Sequence, residues 1–98
     1  MIYSNQFEAL RYIFLNHPKL KEQVNGPYVI NFEGQILDVK SLKSLARKWT
    51  FNERFLLHLA LNLFDLEDVK VDLSRINRLN EKERDIALTA IRIRFDLI

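Results

Sequence analysis

Cysteine is absent from the chain, and glycine and proline are scarce, with two of each in 98 residues. The lack of thiols removes disulfide staples, thiolate nucleophiles and cysteine-based zinc or iron–sulfur centres together. It fits a reducing compartment. With only Gly26 and Gly34, both placed at turns, there is no glycine-rich loop to cradle a phosphate. Long apolar runs are missing too. The most apolar window, Phe55–Phe64, is broken by His58 and Asn62 and falls well short of the roughly 20 residues a membrane span needs. The first residues show no basic leader followed by an unbroken apolar stretch, so no signal peptide is expected. A soluble, cytoplasmic protein without membrane contact is the expectation.

What the chain does have is apolar content. Hydrophobic residues make up 48% of it, enough to offset the entropy of ordering and to argue against disorder. Its length suits one domain over residues 1–98, with no room for a second core. The net charge is +2 and uneven: residues 1–49 hold seven Lys/Arg against four Asp/Glu, residues 50–98 eight against nine. This indicates a basic patch rather than a basic protein.

Local signals give a mostly helical pattern. Asn5 and Glu8 have capping-box spacing and predict a helix from Gln6 to about Asn16, with Phe7, Leu10, Ile13 and Phe14 on one face. His17-Pro18 ends it, and Pro18 opens a short helix through Val24. Alternation over Tyr28–Val39, with a turn at Glu33-Gly34, predicts a β-hairpin. Asp38 or Ser41 starts a helix with Leu42, Leu45, Ala46 and Trp49 inward. The Thr50-x-x-Glu53 capping box opens a nearly all-round apolar helix to about Asp65, expected to form the centre of the fold. Leu66–Asp72 reads as an acidic connector, Leu73–Leu79 as a helical turn, and Asn80 with Glu83 as the cap of a last helix to about Asp96. The expected class is α+β, predominantly helical: about four helices with one hairpin.

No catalytic residue emerges. Neither His17 nor His58 has a neighbour in sequence that would orient it as a general base, and the polar pair His58 and Asn62 reads first as the solvent stripe of a buried helix. Asp65, Glu67, Asp68 and Asp72 lack the glycine and closing glutamate of an EF-hand loop, so no metal and no cofactor is expected. Lys40, Lys43, Arg47 and Lys48 cluster on one helix side ahead of Trp49, and this helix with the break at Trp49-Thr50 and the Phe51 helix resembles a helix-turn-helix outline. Against nucleic acid, the second helix offers only Arg54, His58 and Asn62, flanked by Glu53 and Asp65. In the last helix Arg94 projects from an apolar arc beside Ala87 and Ala90. An unpaired buried guanidinium is costly, so Arg94 should pair with Glu83, Asp65 or Asp68, reach solvent, or face a partner.

Arg94, Ala87, Ala90 and Phe95 are therefore the candidate protein interface, and Lys40, Lys43, Arg47 and Lys48 the candidate nucleic-acid contact. The leading expectation is a small non-enzymatic binding or regulatory module acting through protein contacts, including a homodimer. A nucleic-acid-associated accessory protein is the alternative. The Lys-, Glu-, Asn- and Ile-rich composition resembles that of small proteins of low-GC bacteria and their phages.

Overall fold

A computed structural model describes residues 4–24, 30–31, 36–64 and 69–96. Among these are five α-helices, α1 (Asn5–Asn16), α2 (Pro18–Val24), α3 (Val39–Leu45), α4 (Phe51–Leu63) and α5 (Glu81–Phe95), and two 3-10 segments, Ala46–Lys48 and Leu73–Arg78.

The helix starts follow capping chemistry. Thr50 Oγ1 accepts from the Glu53 N–H while the Glu53 side chain accepts from the Thr50 N–H, so two donors without intrahelical partners are satisfied reciprocally. Asn80 and Glu83 repeat the device at α5. At α1 the cap is Ser4, whose Oγ accepts from the Phe7 N–H, one residue earlier than the Asn5–Glu8 spacing suggests. Both side chains can cap; the one whose backbone is extended does so.

The α+β expectation is corrected: the fold is helical. Of the Tyr28–Val39 hairpin, the described residues retain a minimal antiparallel bridge, Ile30 opposite Leu37 and Asn31 opposite Ile36, and no sheet layer enters the core. The turn at Glu33-Gly34 lies outside the described residues. The return strand is cut short by Asp38. Its carboxylate accepts from the Ser41 N–H at 3.1 Å and the Ser41 hydroxyl at 2.7 Å, which makes Asp38 the N-cap of α3 and draws Val39 into the helix. Two residues a strand, with no third strand among the described residues, offer too little to outweigh a helix cap.

The core is one cluster built on α4, where Phe55, Leu56, Leu57, Leu59, Ala60, Leu61 and Leu63 are all buried. α1 lies against both α4 and α5, and its contact with α5 is the most extensive between any two elements. Ala9, Ala87 and Ala90 are fully buried; side chains this small allow close helix approach. Leu45, expected inside, is 47% exposed. The helix carrying it tightens into the 3-10 turn Ala46–Lys48, while Leu42, Ala46 and Trp49 lie inward as expected. Trp49 is covered by Lys19, whose Nζ lies 5.9 Å from the ring centroid.

A candidate anion-binding cleft on α4

The polar stripe of α4 faces a segment that returns along it. Two asparagines of α4, one of them on that stripe, hold the segment at its ends. Asn62 Nδ2 donates to the Val69 carbonyl at 2.8 Å. Asn52 Nδ2 donates to the Arg78 carbonyl at 3.4 Å and to Glu83 Oε1 at 3.0 Å. Between these clips the backbone is shaped by Asp72, whose carboxylate accepts from the Ser74 N–H and hydroxyl and so caps the 3-10 segment Leu73–Arg78. These bonds hold the Asp72 carboxyl below the usual carboxylate range.

The space between α4 and this segment is a cleft of about 380 Å³, lined by Phe51, Arg54, Phe55 and His58 from α4 and by Lys70, Val71, Asp72 and Arg75. Among the described lining residues the charge is lopsided. Asp72 is the one carboxylate there, engaged by Ser74 and 3.6 Å from Arg75. Three permanent cations and an imidazole oppose it. The guanidinium carbons of Arg75 and Arg78 sit 4.9 and 5.6 Å from the Phe51 ring centroid, within the range of a cation–π contact. Arg75 thus divides its guanidinium between the Phe51 ring and the Asp72 carboxylate.

His58 registers the field of the cleft. Its pKa lies below the ordinary imidazole value, first because burial penalises the charged ring and then because Lys43 and Arg54 repel it. The influence of Lys43 connects the site to α3, the helix that carries Lys40 and Lys43. Arg47 and Lys48 belong to the 3-10 turn and are solvent-exposed. The four cations expected on one side of one helix are therefore split between two elements, with Lys43 the member felt at the cleft.

The second histidine is differently employed. His17 is 7% exposed. Its Nδ1 accepts from the Lys19 N–H at 3.2 Å, capping α2, and its Nε2 lies 3.5 Å from Glu83 Oε2. Glu83 in turn accepts from the Asn80 N–H and the Asn52 amide through Oε1. Every member of this group has a structural partner. It ties the α1–α2 junction to the starts of α4 and α5.

Arg94 also finds a structural partner. Its Nε donates to the Leu63 carbonyl at 2.9 Å, and its guanidinium stacks 5.1 Å from the Phe95 centroid. It thus satisfies a carbonyl that the end of α4 leaves open, with a cation placed at the negative end of the helix dipole. Of its expected carboxylate partners, Glu83 is engaged by His17, Asn52 and Asn80, while Asp65 and Asp68 lie outside the described residues. Ala87 and Ala90 face the interior at 0% exposure, and Phe95 is 57% exposed.

Among the described residues, no group of three or more His, Cys, Asp or Glu is arranged to hold a metal ion, and no helix is long and apolar enough to cross a membrane. Asp65, Glu67 and Asp68, three of the four carboxylates considered for a metal, fall outside those residues.

Sequence reasoning missed Lys70, Arg75, Arg78 and Phe51 as site residues. The available signal was Arg75 and Arg78 at one-turn spacing in a segment read only as a helical turn. What could not be read was that Asn52 and Asn62, ten residues apart on α4, would fasten that turn across the polar stripe. No protein-family model, curated protein or solved structure matches the chain.

Proposed function

We propose that the protein is a non-enzymatic, nucleic-acid-associated module that seats a phosphate backbone in the cleft between α4 and the segment Lys70–Arg75. The observation that carries this reading is the convergence of Arg54, His58, Lys70 and Arg75 on one cleft with Phe51 and Phe55 in its lining. Cations near a phosphodiester release condensed counterions, and guanidinium planes held against a ring offer stacking surfaces for bases. The objection that α4 alone is too poor in cations is met by the returning segment, which supplies Lys70 and Arg75.

The non-enzymatic part rests on the surroundings of the histidines. Glu83, the carboxylate beside His17, is committed to capping α5, and Asp72, which lines the cleft with His58, is engaged by Ser74 and Arg75, while Lys43 and Arg54 disfavour a proton on the His58 ring. Fluorescence anisotropy with a labelled single-stranded oligothymidylate tests the reading. Binding should weaken steeply as salt is raised, and the double substitution Arg54→Glu/Arg75→Glu should abolish it. Absence of binding at low salt, with the chain folded by circular dichroism, would overturn the reading.

A second reading, self-association or docking on another protein, is favoured by one feature: Leu88 (40% exposed) and Phe95 lie on the outer side of α5. It no longer draws on Ala87, Ala90 and Arg94, which are used within the chain. Light scattering after size exclusion separates the two: a dimer in the absence of oligonucleotide that Leu88→Glu dissolves belongs to this second reading.

A further inference from the structure

We propose that His58 couples the cleft to protons: a phosphodiester enters together with a proton on the His58 ring, so nucleic-acid affinity rises as pH falls. The inference rests on the reading of the cleft as a phosphate seat and adds its regulation.

The groups that face His58 come from three elements. α3 contributes Lys43 and α4 contributes Arg54; the returning segment contributes Lys70, Asp72 and Arg75 to the same cleft. With the cleft free of anion, a protonated ring would be one more positive charge among cations, half removed from water. Burial and the two named cations lower its pKa and so favour the neutral form. A phosphate changes each of these conditions. It places negative charge among Arg54, Lys70 and Arg75, offsets the repulsion of the ring by Lys43 and Arg54, and supplies an acceptor for an imidazolium N–H. The charged ring then gains a charge-assisted hydrogen bond that the neutral ring makes more weakly.

Asp72 does not perform this service itself. Its oxygens are engaged by Ser74 and Arg75, and it is tied to the cap of the 3-10 segment. Linkage then fixes the sign. If phosphate raises the pKa of His58, protonation must raise the affinity for phosphate by the same factor. A rise of one pKa unit on binding corresponds to about tenfold tighter binding on the acid side of the transition.

The test uses the full chain and a single-stranded oligothymidylate without terminal phosphates, because its diesters do not titrate in the range used. Binding is measured at fixed ionic strength from about pH 8 down to about pH 5.5. The expected result is tightening of about tenfold towards acid in the parent chain, and a flat profile in His58→Gln whatever its absolute affinity. Imidazole NMR of the unaltered chain gives an independent readout that does not depend on the variant's folding. The His58 resonance should titrate at higher pH with oligonucleotide than without. His17, which does not line the cleft and is engaged by Lys19 and Glu83, serves as the internal reference.

Binding with equal slopes in parent and His58→Gln, or a His58 titration unmoved by oligonucleotide, overturns the inference and leaves the phosphate seat standing. No binding at any pH at low salt overturns both.

Discussion

His17 and His58 are the two histidines of one chain, and their surroundings differ in kind. The group around His17 is a closed account of donors and acceptors: the Lys19 N–H, the ring, Glu83, the Asn80 N–H and the Asn52 amide satisfy one another. Around His58 the neighbours are cations whose charge the lining does not match. Buried polar groups that pair fully add stability and fix geometry, whereas unmatched charge left around a cleft lowers stability locally and is available to a ligand. The first group holds the second in place, since Asn52 bonds both Glu83 and the Arg78 carbonyl.

The comparison predicts opposite responses to substitution. Glu83→Ala should have the largest effect, a loss of about 1–3 kcal/mol in chemical denaturation, because it removes together the acceptor of the Asn52 amide and of the Asn80 N–H and the partner of His17. A loss below about 0.5 kcal/mol would show that the His17 group does not hold the helix starts. Arg94→Ala should cost about 1–2 kcal/mol by leaving the Leu63 carbonyl without its charged donor. It should leave oligonucleotide binding intact, and a stability unchanged by this substitution would remove the role assigned to Arg94.

Asn62→Ala and Thr50→Ala should each cost about 1 kcal/mol, through the Val69 carbonyl and the helix cap respectively. Only Asn62→Ala should also weaken binding, since it frees one end of the segment that carries Lys70 and Arg75. The smallest effects belong to the cleft itself. Arg54→Ala and Arg75→Ala should change stability by less than about 0.5 kcal/mol in either direction while reducing affinity. If they destabilised the fold as much as Glu83→Ala does, the cleft would be a structural feature like the His17 group.

Acid sharpens the contrast. Because the pKa of His58 is lower in the folded chain than its ordinary value of 6.5, its contribution is fully present above that value. It is lost as pH falls through the folded pKa, where the unfolded chain takes up the proton more readily. Stability measured against pH should therefore decline on the acid side of that value, and His58→Gln should remove this part of the decline.

Much of the helical pattern was legible because its causes are local. Thr50-x-x-Glu53 and Asn80-x-x-Glu83 cap where spacing places them, His17-Pro18 breaks where proline geometry requires, and the apolar circumference of the Phe51 helix marks it as central before any contact is known. The hairpin was over-read because alternation over Tyr28–Val39 competes with a cap at Asp38, and a pattern of period two does not report which gains more. Arg94 was legible as an anomaly but not as a solution, since its partner is a backbone carbonyl on another helix and carbonyls leave no mark in a sequence.

The sequence by itself determined where α4 and α5 begin, where α1 breaks and which side of α4 is polar, since caps, breaks and periodicity act over three or four residues. Only the tertiary structure decided that Lys70 and Arg75 would join Arg54 and His58. That meeting depends on two asparagine amides reaching carbonyls of a distant segment, at Val69 and Arg78. Such bonds are specified by the path of the chain and not by its local pattern, and they turn a solvated stripe into a cleft with an excess of positive charge.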